Sequence, residues 1–238
     1  MEIRSRCIAL RTVRYKDNKS IVTCLVREAG RMAFIVPDGK SREAVRRRAI
    51  MMPGSEFECV IDFRENRSLH SMKDIRPRRA LIVDNPAKMP VVFFVCDLLN
   101  SLLRDAQKDQ LLYDYIDSTI ASMLSSRSVG NSTMAFMIGL MRFMGVMPDL
   151  GTWRRGRVLD MRSGVFVDSP PLNSRWLSVE ESAVAARLLR INMSNMRFFR
   201  FTRQQRRQVL DLLVDYYSMH FGTTASLKSL DVVRTLFD

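Results

Sequence analysis

With 238 residues, 47% of them hydrophobic, the chain is long enough for one or two domains with a real core and too apolar for general disorder. Its 38 Lys and Arg against 25 Asp and Glu leave a net charge of +13, dominated by Arg, whose planar fork pairs with phosphate; this favours a nucleic-acid partner. Met1 to Arg14 lacks the apolar block of a secretory signal. The most apolar run, Thr133 to Met147, is broken by Arg142 and falls short of the ~20 residues that span a bilayer.

The first third predicts short strands separated by turns. Arg4 to Tyr15 is rich in β-branched and alternating residues, and Lys16-Asp17-Asn18-Lys19 is a polar turn. Ser20 to Arg27 and Met32 to Val36 follow, joined at Ala29-Gly30-Arg31. Ser55 to Phe63 places Phe57, Cys59 and Ile61 on one face, and Glu65-Asn66-Arg67 turns into Leu69 to Ile75. Five strands in about 75 residues predict a small barrel. Asp38 to Arg48, between the third and fourth strands, reads as a charged, solvated loop.

Arg76-Pro77-Arg78-Arg79 and Asn85-Pro86 mark a boundary, after which the apolar period becomes helical. Pro90 to Arg104 places Val92, Val95, Leu99 and Leu102 on one face. Gln110 to Leu124 repeats the pattern with Leu112, Tyr115, Ile116, Thr119, Ile120 and Met123. Ser132 to Met144 ends at Gly145 with Pro148 beyond, and its methionines are expected in the core. Capping boxes at Ser178 and Thr202 open two further helices, to Arg190 and to about His220. Ser226 to Phe237 closes the chain. The expected fold class is therefore α+β: a five-stranded barrel of the OB type over 1–79, then an all-α region over 80–238 with a short hairpin near 157–168.

Little points to catalysis. His70 and His220 form no metal spacing, and His220 is expected to cap a helix C-terminus. The chain has no GxSxG, Walker A or GxGxxG motif and no clustered carboxylates, so no enzyme is expected. Cys7, Cys24, Cys59 and Cys96 sit in apolar runs without a CxxC pair, which predicts core thiols, no metal and no cofactor. Such thiols suit a reducing cytoplasm.

The charge is uneven. Residues 1–79 hold 19 basic and 10 acidic side chains, so a polyanion is expected to meet the barrel first. Arg14, Lys16 and Lys19 fall at the first turn, Arg27 and Arg31 at the second, and Lys40, Arg42, Arg46, Arg47 and Arg48 between strands three and four. These ten are the candidate phosphate contacts. Tyr15 and Phe34 are candidate stacking platforms, Phe34 more readily a core residue. The barrel alone does not separate DNA from RNA, and an RNA-binding translation or ribosome-assembly factor is the competing reading.

The opening IALRTVRYKDNKSIVTCLVREAGRMAFIVPDGKSR resembles that of the bacterial RecO family. LHSMKDIRP, FMIGLMRFMGVMPDL, VLDMRSGVFVD and DYYSMHFGTTASLKSLDVVRTLF are similar to it in the same order. The resemblance implies an OB-fold with a helical domain, binding of single- and double-stranded DNA, strand annealing, and work with RecR in the RecFOR pathway. It also implies docking on the acidic C-terminal tail of single-stranded-DNA-binding protein (SSB), help in loading RecA, and a cytoplasmic, nucleoid-associated location without a membrane. Many members carry a four-cysteine zinc module; Trp153 to Pro171, the matching region, has no Cys, so zinc is not carried over. An acidic, aromatic tail needs an apolar pocket beside an Arg. Arg142, next to Met141, Phe143 and Met144, is one candidate; Arg200 and Arg203, among Phe198, Phe199 and Phe201, are the other.

Overall fold

The computed structural model describes residues 1–64, 66–81, 85–104, 107–126, 130–172, 174–222, 227 and 229–235. The chain forms two compact units, Met1–Arg127 with Leu227–Leu236, and Ser128–Ser226 with Phe237–Asp238.

In the first unit, β1 (Glu2–Lys16), β2 (Lys19–Val26), β3 (Gly30–Pro37), β4 (Glu56–Asp62) and β5 (Ser71–Arg79) form one antiparallel sheet in the order β3-β2-β1-β4-β5. β1 is long because it serves two neighbours: Glu2 to Ile8 pairs with β4, and Cys7 to Lys16 pairs with β2. A register shift between Ala9 and Arg11 lets it bend. The outer strands approach at Phe34 and His70, where Ile35 N donates to His70 O at 3.0 Å and His70 N to Ala33 O at 2.9 Å. The sheet thus curls around Cys7, Cys24, Phe34, Phe57, Cys59 and Ile61, the inward set of the alternation. With helix α1 (Arg42–Ile50) between β3 and β4, this is an OB-type barrel.

Two expectations are corrected here. The segment Asp38 to Arg48 is not all loop: α1 begins at Arg42, where the Ser41 side chain accepts from Ala44 N at 3.1 Å. Glu43 in the first turn and Arg47 and Arg48 in the last complement the helix dipole, and Arg, Glu and Ala are good helix formers. Strand β5 does not stop at Ile75 but runs through Pro77 to Arg79. Its pairing there is with β4 alone, and an edge strand tolerates a missing N–H. Of the expected turn at Glu65-Asn66-Arg67, Glu65 lies outside the described residues.

The helices α2 (Lys88–Leu102), α3 (Gln110–Ser125) and α7 (Leu230–Thr235) pack into the same compact unit as the barrel. α2 buries Val91, Val92, Val95 and Leu99 completely. On α3 the fully buried tyrosine is Tyr113, not Tyr115, and its hydroxyl donates to the buried Glu56 at 3.2 Å. α7 buries Val233, and Ser229 just before it donates through Oγ to Asp97 of α2 at 2.8 Å. Ser226, Lys228, Leu236 and Phe237 of the expected last helix lie outside the described residues.

The second unit holds α4 (Ser132–Phe143), the hairpin β6 (Val158–Asp160) and β7 (Val165–Val167), α5 (Val179–Leu188) and α6 (Arg203–Phe221). Both expected capping boxes are present, at Ser178 and Thr202. Met134, Met137 and Met141 on α4 are buried, and Tyr217 of α6 donates to Met137 O at 2.7 Å. The hairpin turn needs Gly164: its φ is +70°, and a Cβ there would stand 3.2 Å from the Tyr216 hydroxyl. His220 does not cap its own helix; its Nε2 donates to Met161 O at 3.0 Å.

Candidate nucleic-acid interface

The β1–β2 turn and the end of β3 meet at one pole of the barrel, where Lys16 pairs with Lys19 and Lys19 with Pro37. Asn18 takes the left-handed conformation at φ 60°, which Asn tolerates better than most residues. Its carbonyl accepts from Asp38 N at 2.7 Å, tying the turn to the segment that leads into α1. Asp38 Oδ2 accepts from Ser20 Oγ at 2.7 Å, and Oδ1 accepts from Gly39 N at 2.8 Å and from Arg48. Arg48 also donates to Gly39 O at 2.6 Å. The Ser20 hydroxyl, then the Arg48 guanidinium, hold the Asp38 carboxyl down at about 2.

This clamp shapes an open cleft of about 480 Å³. Arg14, Lys16, Lys19, Lys40 and Arg48 line it, against only Asp17 and the already paired Asp38. A concave surface lined by one sign of charge concentrates the field and attracts a polyanion. Tyr15 lines the same cleft, 44% exposed, with Lys16 Nζ 5.5 Å from its ring centroid. Phe34 is fully buried and is no platform.

α1 extends the basic surface. Arg42 and Arg46 are exposed one turn apart. Arg46 and Arg47 line a neighbouring cleft of about 430 Å³ with Lys73, over Ile50, Met72 and Ile75. Arg47 is partly committed within the chain, donating to Pro37 O at 3.0 Å and to Glu43 at 2.6 Å. Lys73 has no signal in the sequence beyond its strand, so the sequence alone does not single it out.

Arg27 and Arg31 lie elsewhere. β2 carries the chain from Lys19 to Val26, a rise of about 23 Å, to the opposite pole. There Arg27 forks onto Asp114 of α3 through Nε at 2.9 Å and Nη2 at 2.8 Å. The bond to Arg27 pulls the Asp114 carboxyl below its usual range, and Asp114 in turn raises the guanidinium. Arg6 adds a contact to Asp114 at 3.2 Å, and Arg79 pairs with Asp117 of the same helix. Arg31 donates to Asn100 Oδ1 and to Arg104 O, both at 3.3 Å. These arginines fasten α2 and α3 to the barrel, a role hidden in the sequence because their partners lie some 40 to 110 residues away.

In the second unit Arg142 is exposed at the end of α4 beside the half-exposed Phe143, while the helix's apolar face is buried. Arg200 and Arg203 are exposed around the start of α6. A cavity in this unit measures about 40 Å³ and is lined by core residues such as Ile138, Met141, Leu159 and Leu213, with no Arg among them. Among the described residues, no group of three or more His, Cys, Asp or Glu could hold a metal ion, and no helix is long and apolar enough to cross a membrane.

The fold and this interface define an α+β protein in which an OB-type barrel, cationic at one pole, precedes a helical region. The family profile described as Recombination protein O N terminal matches residues 1–80, and that described as Recombination protein O C terminal matches residues 84–231. The chain is 32% identical over 247 residues to the DNA repair protein RecO of Porphyromonas gingivalis, covering the whole of both. It is 32% identical over 234 residues to that of Phocaeicola vulgatus, covering 97% of each, and 27% identical over 241 residues to that of Azobacteroides pseudotrichonymphae, again over the whole of both. The chain belongs to the RecO family of DNA repair and recombination proteins.

Proposed function

We propose that the chain is a non-enzymatic recombination mediator. It binds single- and double-stranded DNA at the barrel, anneals complementary strands and, with RecR, helps load RecA onto SSB-coated single-stranded DNA in the cytoplasm. The gathering of Arg14, Lys16, Lys19, Lys40 and Arg48 around one cleft carries this reading. Arg42, Arg46 and Arg47 extend the phosphate track along α1. Arg27 and Arg31 hold helices to the barrel instead of touching DNA. With Tyr15 the one exposed ring in the cleft, phosphate contacts dominate and base preference is weak. The acidic SSB tail docks on the second unit at Arg142; the stretch with Arg200 and Arg203 is taken up below.

The test is the combined substitution Lys16→Ala, Lys19→Ala and Lys40→Ala. Affinity should fall alike on all sequences, and each lost contact should flatten the salt slope by about 0.7–0.9 log units. Annealing on SSB-coated DNA should fall with it, and should also require the last residues of SSB. Unchanged affinity and slope in the triple variant would remove the cleft from the interface.

A further inference from the structure

Between Ser182 and Leu210 the chain carries seven arginines and no carboxylate. Within this stretch the loop ahead of α6 is firmly braced. Asn192 Oδ1 accepts from the N–H groups of Ser194 at 2.9 Å and Asn195 at 3.0 Å, and Asn195 Oδ1 accepts from Asn192 N at 2.8 Å. Asn131, at the start of α4, donates through Nδ2 to the carbonyls of Met196 at 2.9 Å and Phe199 at 2.7 Å. On this held loop Phe198 is 70% exposed, with the Arg197 guanidinium 4.8 Å from its ring centroid. Phe199 and Phe201 stack on each other at 6.2 Å. Phe198 is thus held in water on a braced loop, beside the exposed Arg197 and Arg200.

We infer that this loop is a second nucleic-acid surface, selective for a single strand. An unstacked base lies on the exposed Phe198 ring, and Arg197 and Arg200 hold the flanking phosphates. A duplex keeps its base faces stacked and offers Phe198 nothing but its backbone. An acidic peptide with an aromatic residue is the other polyanion to weigh, but such a residue needs a pocket. Phe198 is a raised platform, 70% exposed, and a cavity of this unit, about 40 Å³, is lined by apolar side chains and Tyr216 with no Arg to meet an acidic peptide. This inference goes beyond the barrel cleft and does not depend on it: one chain would hold two strands, which is what annealing requires.

The full chain is titrated under tight-binding conditions with fluorescent oligo(dT) of about ten nucleotides, within the range that one such surface covers. Wild type should bind two equivalents and Phe198→Ala one, the affected site weakening roughly five- to a hundred-fold, while duplex affinity stays unchanged. Phe198→Tyr should restore the second equivalent. Because Phe198 is exposed, the fold should survive, and a matching thermal melt checks this. The variant Lys16→Ala, Lys19→Ala and Lys40→Ala separates the two surfaces: if it keeps both equivalents while Phe198→Ala loses one, the barrel reading fails and this inference stands. Two equivalents in Phe198→Ala would overturn the inference, as would a single wild-type equivalent that vanishes in the lysine variant. If Phe198→Ala keeps its oligonucleotide stoichiometry but loses a labelled Asp-rich peptide ending in Phe, the surface takes a protein and the inference is wrong.

Discussion

Asp38 places a carboxylate inside a cationic cleft, yet its surroundings make it a fastener. Ser20 and Arg48 lower its pKa from 3.8 to about 2, so its stabilising contribution is complete above about pH 4 and is lost as the pH falls towards 2. Asp38→Asn should remove that arm: between pH 4 and 2 the wild-type melting temperature should fall more steeply than the variant's, and parallel profiles would show that the clamp contributes nothing. Arg27 makes a contrast at the same scale. Forked onto Asp114, it should lower thermal stability when replaced by Ala and leave DNA affinity near normal, the reverse of the pattern expected at Lys16 or Lys19. The four thiols are buried. Contact with Cys59 and burial push Cys7 up, burial raises Cys24, and burial lifts Cys96 to about 12. Native protein at pH 7.5 should therefore resist iodoacetamide at all four positions, with full labelling only in denaturant.

At the scale of elements, the strands were legible because alternation survives in a barrel with one wet face, and Phe57, Cys59 and Ile61 point inward as the pattern predicts. The capping boxes at Ser178 and Thr202 were legible because their hydrogen bonds are local. Thr202→Ala should cost about 1 kcal/mol in urea titrations, as lost caps usually do, and a change within error would mean that Gln205 and water satisfy the helix start alone. α1 was hidden because a dense charge run reads as solvated loop, although its cap, Ser41, and its buried Ala44 were both in view. Periodicity places Tyr115 on the apolar face and misses Tyr113, because it cannot tell which of two neighbouring faces meets Glu56 on a strand more than 50 residues earlier. The same blindness to distant partners hides the pairing of Arg27 with Asp114 and of Arg31 with Asn100: charge counts see the arginine and miss the carboxylate or carbonyl beside it.

Across the whole molecule, the number of cations that reach phosphate sets the salt dependence of binding. Residues 1–79 carry an excess of nine positive charges, which taken at face value would give a salt slope on duplex DNA near −8, at about −0.9 per contact. The five cations around the cleft alone would give about −4.5, and with Arg42, Arg46 and Arg47 of α1 about −7, so a slope near the smaller figure would remove the α1 arginines from the phosphate track. The path of the chain carries a different implication. It leaves the first unit near Arg127, builds the second, and comes back at Leu227 to lay α7 on α2. On the ribosome, α2 must therefore wait through about 130 further residues, several seconds of synthesis at usual rates, before Ser229 and Val233 arrive to cover it. During that interval the nascent barrel unit exposes an apolar strip that the finished protein hides. Completion of the first unit is thus timed by α7, which is translated after the bulk of the second.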